Sequence, residues 1–271
     1  MAKDEKETLV GYLRELHLPA FRRGYEELAR QAQQEGLSYE RYLLQLAERE
    51  CQERRANRIG RLLRQSRLPL EKSWQALELK RFPARVLQQA RTLLEGSFVD
   101  RHENVLAFGV PGSGKTHLLC AISQELVRAG RKVLFWSCGL LVQELLVAKR
   151  DLKLSRVLKR LAGYEVLVLD DLGYVQQSRE EMEVLFTLLA ERYERGSVLL
   201  TSNLPFSGWE AIFKDAMTTA AAIDRLVHHS VIIELNLPSY RAEQARKAKQ
   251  ARPAAGEAKG PGEEGPQAPT A

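Results

Sequence analysis

Gly109-Val110-Pro111-Gly112-Ser113-Gly114-Lys115-Thr116 follows directly on the apolar run Asn104-Val105-Leu106-Ala107-Phe108 and leads into an amphipathic stretch from His117 to Arg128. Strand, glycine-rich turn and helix in that order match G-x-x-x-x-G-K-[ST] in the context the motif demands. Gly112 and Gly114 let the backbone turn its N–H groups toward an anion. The helix that begins near Lys115 aims the positive end of its dipole at the same point. Lys115 supplies a point charge for the β- and γ-phosphates, and the Thr116 hydroxyl is a magnesium ligand. The expected nucleotide cradle therefore runs from Gly109 to His117, with ATP and Mg²⁺ as its cofactors.

A second run, Glu165-Val166-Leu167-Val168-Leu169-Asp170-Asp171, is an apolar strand that ends in two carboxylates. Acids at the carboxyl end of a buried strand stand at the crevice where α/β proteins bind their ligands. Asp170 is the expected magnesium-holding acid, working through water. Two adjacent acids alone would equally describe a solvated strand end; the phosphate loop upstream favours the site. A third strand, Ser197-Val198-Leu199-Leu200-Thr201, ends in Ser202-Asn203. Its amide reads either as a group aimed at the γ-phosphate or as part of a turn before Leu204-Pro205. Ala216 to His228 reads as a helix with Ala220, Ile223 and Val227 inward. On it, Asp224-Arg225 is either a surface pair or an arginine presented to a neighbouring subunit.

Outside these motifs the chain has three textures. Residues 4–75 read as all helix, with Leu9, Tyr12, Leu13 and Leu16 at helical spacing and Pro19 closing that segment. A second run carries Tyr25, Leu28 and Ala32 on one face and stops near Gly36, and a long helix then runs from an N-cap at Ser38 to about Arg67. From about Trp74 to Arg241, short β-branched runs alternate with amphipathic helices, the pattern of a parallel sheet covered on both faces. After Arg241 there is no aromatic residue and no aliphatic larger than alanine, so the tail is expected to be disordered. The expected division is 1–75 helical, 76–241 ATPase, 242–271 tail. No internal repeat is visible.

Composition narrows the classes. The 271 residues are 44% hydrophobic and 28% charged, with a net charge of +6. No apolar run reaches membrane-span length and the amino terminus lacks a signal-peptide core, so no membrane partner is expected. Cys51, Cys120 and Cys138 are odd in number and far apart, which points to a reduced, cytoplasmic protein. His228 and His229 are adjacent, would point different ways on a helix, and give no metal pattern.

Together the motifs resemble an IstB-type ATPase, the helper of a class of bacterial insertion sequences, kin to DnaC-type helicase loaders and DnaA-type initiators within the AAA+ proteins. The matching pieces are Gly109–His117 (GVPGSGKTH), Leu169–Tyr174 (LDDLGY), Leu185-Phe186, Glu191–Arg195 (ERYER), Thr201–Phe206 (TSNLPF) with Trp209, Asp224–His229 (DRLVHH) and Ser239-Tyr240-Arg241. The resemblance implies a P-loop AAA+ parallel sheet flanked by helices. It also implies a homo-oligomer on double-stranded DNA that stimulates a partner transposase and helps choose its target. By the same resemblance Asp171 takes the place of the acid that polarises the attacking water, where most relatives carry Glu. Asn203 takes the sensor position, and Arg225 that of the finger for a neighbour's ATP. Two features depart from the pattern: Leu237-Pro238 stands where a glycine is expected, and no lid domain follows. A helicase loader and a non-hydrolysing nucleotide-dependent scaffold are the alternatives, while a small-molecule kinase is poorly supported.

Arg54, Arg55, Arg58, Arg61, Arg64 and Arg67 form a run with no acid among them. Charge runs are often solvated helix faces. Here most recur every third residue and wind across one broad side, where they are expected to follow a phosphate backbone without reading bases.

Overall fold

The apolar runs become five parallel strands: β1 (Asn104–Gly109), β2 (Val133–Ser137), β3 (Val166–Leu172), β4 (Ser197–Ser202) and β5 (Ser230–Leu235), in the order β2-β3-β4-β1-β5. The computed structural model describes residues 3–173, 178–209, 216–240, 242–243 and 246. Tyr174, Arg241 and the expected tail, save Ala242, Glu243 and Arg246, lie outside the described residues.

Alternation along the strands sorts the core into two layers. Val105 and Ala107 of β1 pack with Leu118, Leu119 and Ile122 of α6 (Lys115–Arg128) and with Ala90 and Leu93 of α4 (Ala84–Leu94). Leu106 and Phe108 face the other side, where α7 (Cys138–Arg150), α8 (Leu154–Ala162), α9 (Arg179–Arg192) and α10 (Ala216–Val227) cover the sheet. A short helix, α5 (Ser97–Asp100), leads into β1. Each fully buried leucine here contributes about 1.5–3 kcal/mol. Along α10, Thr219, Ala222 and Leu226 are buried, while Ala220 is exposed. This corrects the expected inward face: the helix is rotated so that Ile223 and Val227 lie at the rim of the core.

The helical front comprises α1 (Lys3–Glu15), α2 (Pro19–Glu35) and α3 (Tyr39–Ser66). Ser38 caps α3 by accepting from the Arg41 amide at 3.2 Å, Gly36 closes α2 in the left-handed conformation, and Pro19 opens α2 rather than merely ending the segment before it. α2 has no side-chain cap of its own. Glu50, on the facing turn of α3, accepts from the amides of Ala20 and Phe21 at 2.8 and 3.3 Å and from Arg54 Nε at 2.8 Å. Burial alone would raise this carboxyl; those donors outweigh it and hold it below the usual range. The far end of α3 belongs to the sheet. Leu62 and Leu68 sit in the same layer as Leu77, Phe82 and Val105.

Among the described residues, no helix is long and apolar enough to cross a membrane.

Candidate nucleotide site

The strand order places the tip of β1 between the tips of β4 and β5, with β3 one strand away, so the phosphate loop faces the acidic tip across a single strand. The meeting is direct. Thr116 Oγ1 donates to Asp170 Oδ1 at 2.7 Å, and Thr201 Oγ1 donates to the same oxygen at 2.7 Å. Thr201 also accepts from the Asp171 amide at 2.8 Å.

A bulge makes this geometry. Leu169 pairs with Leu200 and Leu172 with Ser202, so β3 carries one residue more than β4 across the interval. Asp171 takes up the excess in a left-handed conformation, φ 61°. Asp170 thus turns toward Thr116, and Asp171 stands exposed at the cavity's edge.

The loop itself is built around close approach. At Gly112, φ 81°, a Cβ would lie 2.2 Å from Ser239 Oγ, and at Gly114, φ 100°, one would press on the Phe82 ring at 3.1 Å. Lys115 is buried, and its Nζ donates to the carbonyls of Gly109 and Val110 at 2.7 and 3.0 Å. The Ser113 hydroxyl is buried with no hydrogen-bond partner among the described residues. An unpaired buried hydroxyl, a buried cation and a helix N-terminus around one loop fit an anionic ligand. Oxygen donors Thr116 and Asp170 fit a hard divalent cation such as Mg²⁺.

The cavity beside the loop encloses about 400 Å³, within the range of small-molecule sites. Asp170, Asp171 and Asn203 line it with the loop residues from Pro111 to His117. Gly109 does not line it and meets the site only through the carbonyl that Lys115 holds, and Val110 is exposed at the loop's outer turn.

Half of the wall was not legible as a motif. Leu77, Glu78, Arg81 and Phe82, from the segment before α4, face Leu237 and Tyr240, from the segment after β5. Tyr240 N donates to the Gly112 carbonyl at 2.9 Å, its hydroxyl donates to Glu78 at 3.2 Å, and Arg81 stacks on its ring at 4.8 Å. Arg81 also donates to the Pro238 carbonyl at 3.0 Å. His117 meets the Ser73 carbonyl at 3.0 Å, and Gln124 on α6 donates to the carbonyls of Pro69, Leu70 and Lys72. The Ser-Tyr ending was in view as a signature, but nothing in its spacing assigned it to the phosphate loop.

Arg225 does not line the cavity of its own chain. Its guanidinium lies 4.6 Å from the Phe186 ring centre and donates to the Ala221 carbonyl at 3.1 Å. In the arginine run, Arg54 bonds to Glu50 and to the His17 carbonyl, and Arg67 stacks on Trp136 at 4.4 Å. Glu50 lies just outside the acid-free stretch, so Arg54 has the acidic neighbour that the stretch itself lacks. Arg55, Arg58, Arg61 and Arg64 are exposed and pair with no carboxylate among the described residues.

The histidine pair also needs correction. α10 ends at Val227, so His228 and His229 follow the helix rather than ride on it. Their rings are not directed apart: the centroids lie 4.2 Å from each other.

The sequence profile of the family described as IstB-like ATP binding protein matches residues 11–248. A Sinorhizobium fredii protein named as an insertion sequence ATP-binding protein is 41% identical over 246 residues, covering 90% of this chain and 83% of the relative. The protein named as the ATP-binding protein of insertion sequence IS21 in Pseudomonas aeruginosa is 37% identical over 244 residues, with 90% and 91% covered. Among solved structures, that of DnaI superposes with a TM-score of 0.51 at 25% identity, over 64% of this chain and 94% of the other. AMPPCP-bound DnaA from Aquifex aeolicus gives 0.52 at 15% identity, over 68% and 56%, which is a likeness of fold.

Proposed function

The chain belongs to the family of IstB-like ATP-binding proteins, and from that premise we propose that it is an ATPase that assembles on double-stranded DNA and assists a cognate transposase in choosing its target. One observation carries the nucleotide half of this reading. The Thr116 and Thr201 hydroxyls converge on the single oxygen Asp170 Oδ1, which supports a loop and an acid that act on one triphosphate.

Each residue has a definable task. The loop amides and Lys115 bind the phosphates, with Lys115 exchanging its carbonyl partners for β- and γ-oxygens. Magnesium held by Thr116 and Asp170 would supply neutralisation of the developing phosphate charge. Asp171 and Asn203 orient the attacking water. Leu77, Phe82, Leu237 and Tyr240 surround the base and ribose. Arg225 faces away from its own cavity, which suits a group that completes a neighbour's site. Hydrolysis would then require assembly, and ATP would hold the DNA-bound multimer together.

DNA contact falls to the four arginines on α3 that pair with no carboxylate among the described residues. If Arg55, Arg58, Arg61 and Arg64 each engage a phosphate, log K against log[salt] should slope by roughly −3 to −4. The names of the relatives support the transposition setting. The resemblance of the motifs to DnaC-type helicase loaders keeps helicase loading as the alternative, and a pull-down separates them by whether a transposase or a replicative helicase dominates.

The test of the shared site is Arg225→Ala. It should leave ATP affinity within about twofold while lowering DNA-stimulated turnover by about 10³–10⁵-fold. Normal turnover in that variant would remove the shared arrangement. Absence of turnover in the wild type, with ATP still bound, would instead leave a nucleotide-dependent scaffold.

A further inference from the structure

At the amino ends of the strands, opposite the nucleotide cavity, Glu194, His228 and His229 bring one ligand atom each to within 4.8 Å of one another. The two turns that carry them are held from below by buried polar residues. Arg192, just before Glu194, donates to the carbonyls of Leu161, Tyr164, Glu165 and Ser197. Asn104 donates through Nδ2 to the Leu226 carbonyl at 3.1 Å and through its amide to the His229 carbonyl at 2.7 Å, while its Oδ1 accepts from the Val198 amide. Val198 adjoins Ser197, so one corner of the sheet fixes both turns. Glu194 stands on its turn in a left-handed conformation, φ 56°. The Tyr193 hydroxyl lies 3.1 Å from His228 Nδ1, which orients that ring.

Two imidazoles and a carboxylate on anchored turns, with an outer-sphere hydrogen bond on one ring, form the donor set of a borderline transition-metal ion. A tetrahedral ion with bonds of about 2.0–2.1 Å holds its ligand atoms about 3.4 Å apart, so small side-chain rotations close the site. We propose that Glu194, His228 and His229 bind a zinc-class divalent ion with an open fourth position. Such an ion clips the end of α10, three residues beyond Arg225, to the end of α9. Its link to hydrolysis rests on the function proposed above; uptake of the ion does not.

Cobalt is the probe. Full-length protein, free of any histidine tag and stripped with chelator, should take up about one equivalent of Co²⁺ with the visible bands of a low-coordinate site, displaced by Zn²⁺. At free Zn²⁺ a hundredfold above Kd, the folding equilibrium should shift about a hundredfold. His228→Ala and His229→Ala should each weaken uptake at least tenfold, Glu194→Gln less so, and His17→Ala not at all. His229→Gln, with circular dichroism and nucleotide binding as folding checks, serves if an alanine variant misfolds. No saturable uptake by the wild type, or uptake surviving in the His228→Ala/His229→Ala double variant, overturns the site. ATP binding is read in the same samples, so loss of the metal claim and loss of the nucleotide claim remain distinct results.

Discussion

The two ends of the sheet both bury a cation, and they use it in opposite ways. At the amino ends, Arg192 is buried and gives four hydrogen bonds to carbonyls of the surrounding turns. Burial draws its pKa down to about 10, which leaves it charged at neutral pH. At the carboxyl ends, Lys115 is buried beside an open cavity and bonds to carbonyls of its own loop. A guanidinium fork locks several backbone groups at once, whereas an ammonium on a flexible stem can trade partners. One end is built to stay, the other to exchange.

Substitutions at three residues probe that contrast. Arg192→Met should be the most severe, because it strips donors from buried carbonyls. It should lower stability by about 3 kcal/mol or more while the folded fraction binds ATP normally, as read by denaturant unfolding and calorimetry. Arg192→Lys should rescue little of this. Lys115→Ala should do the reverse: a loss of about 10²-fold or more in ATP affinity with the unfolding midpoint nearly unmoved. If Lys115→Ala unfolded the protein, the distinction between the ends would fail. Thr201→Val should be mildest. Removing the hydroxyl that steadies Asp170 should raise the magnesium requirement for turnover roughly tenfold and leave stability within about 1 kcal/mol.

The same contrast explains what the sequence disclosed. The phosphate loop, the acid-tipped strand and the caps of α3 depend on neighbours within a few residues, so spacing carries them. Cys120 and Cys138, expected to be reduced, are buried, and burial lifts both thiols to about 12. Long-range partners leave no such trace. Thr201 meets Asp170 across the sheet, and the Glu78–Arg81–Tyr240 wall joins segments separated by the whole parallel sheet. Arg192 reads on its helix as one more surface charge in a charged motif; only the turns packed around it reveal four acceptors. The Arg54–Glu50 pair, by contrast, was available at i, i+4. The histidine pair was misjudged because the helix was carried one residue too far, and a single residue decides whether two rings diverge or meet.

Tyr240 ties the segment after β5 to the phosphate loop, its amide bonded to Gly112. A group attached directly after this tyrosine is therefore held at the mouth of the candidate nucleotide cavity. A fluorophore or fusion partner joined shortly after this tyrosine would become a reporter of occupancy, and a bulky affinity tag there would become an inhibitor.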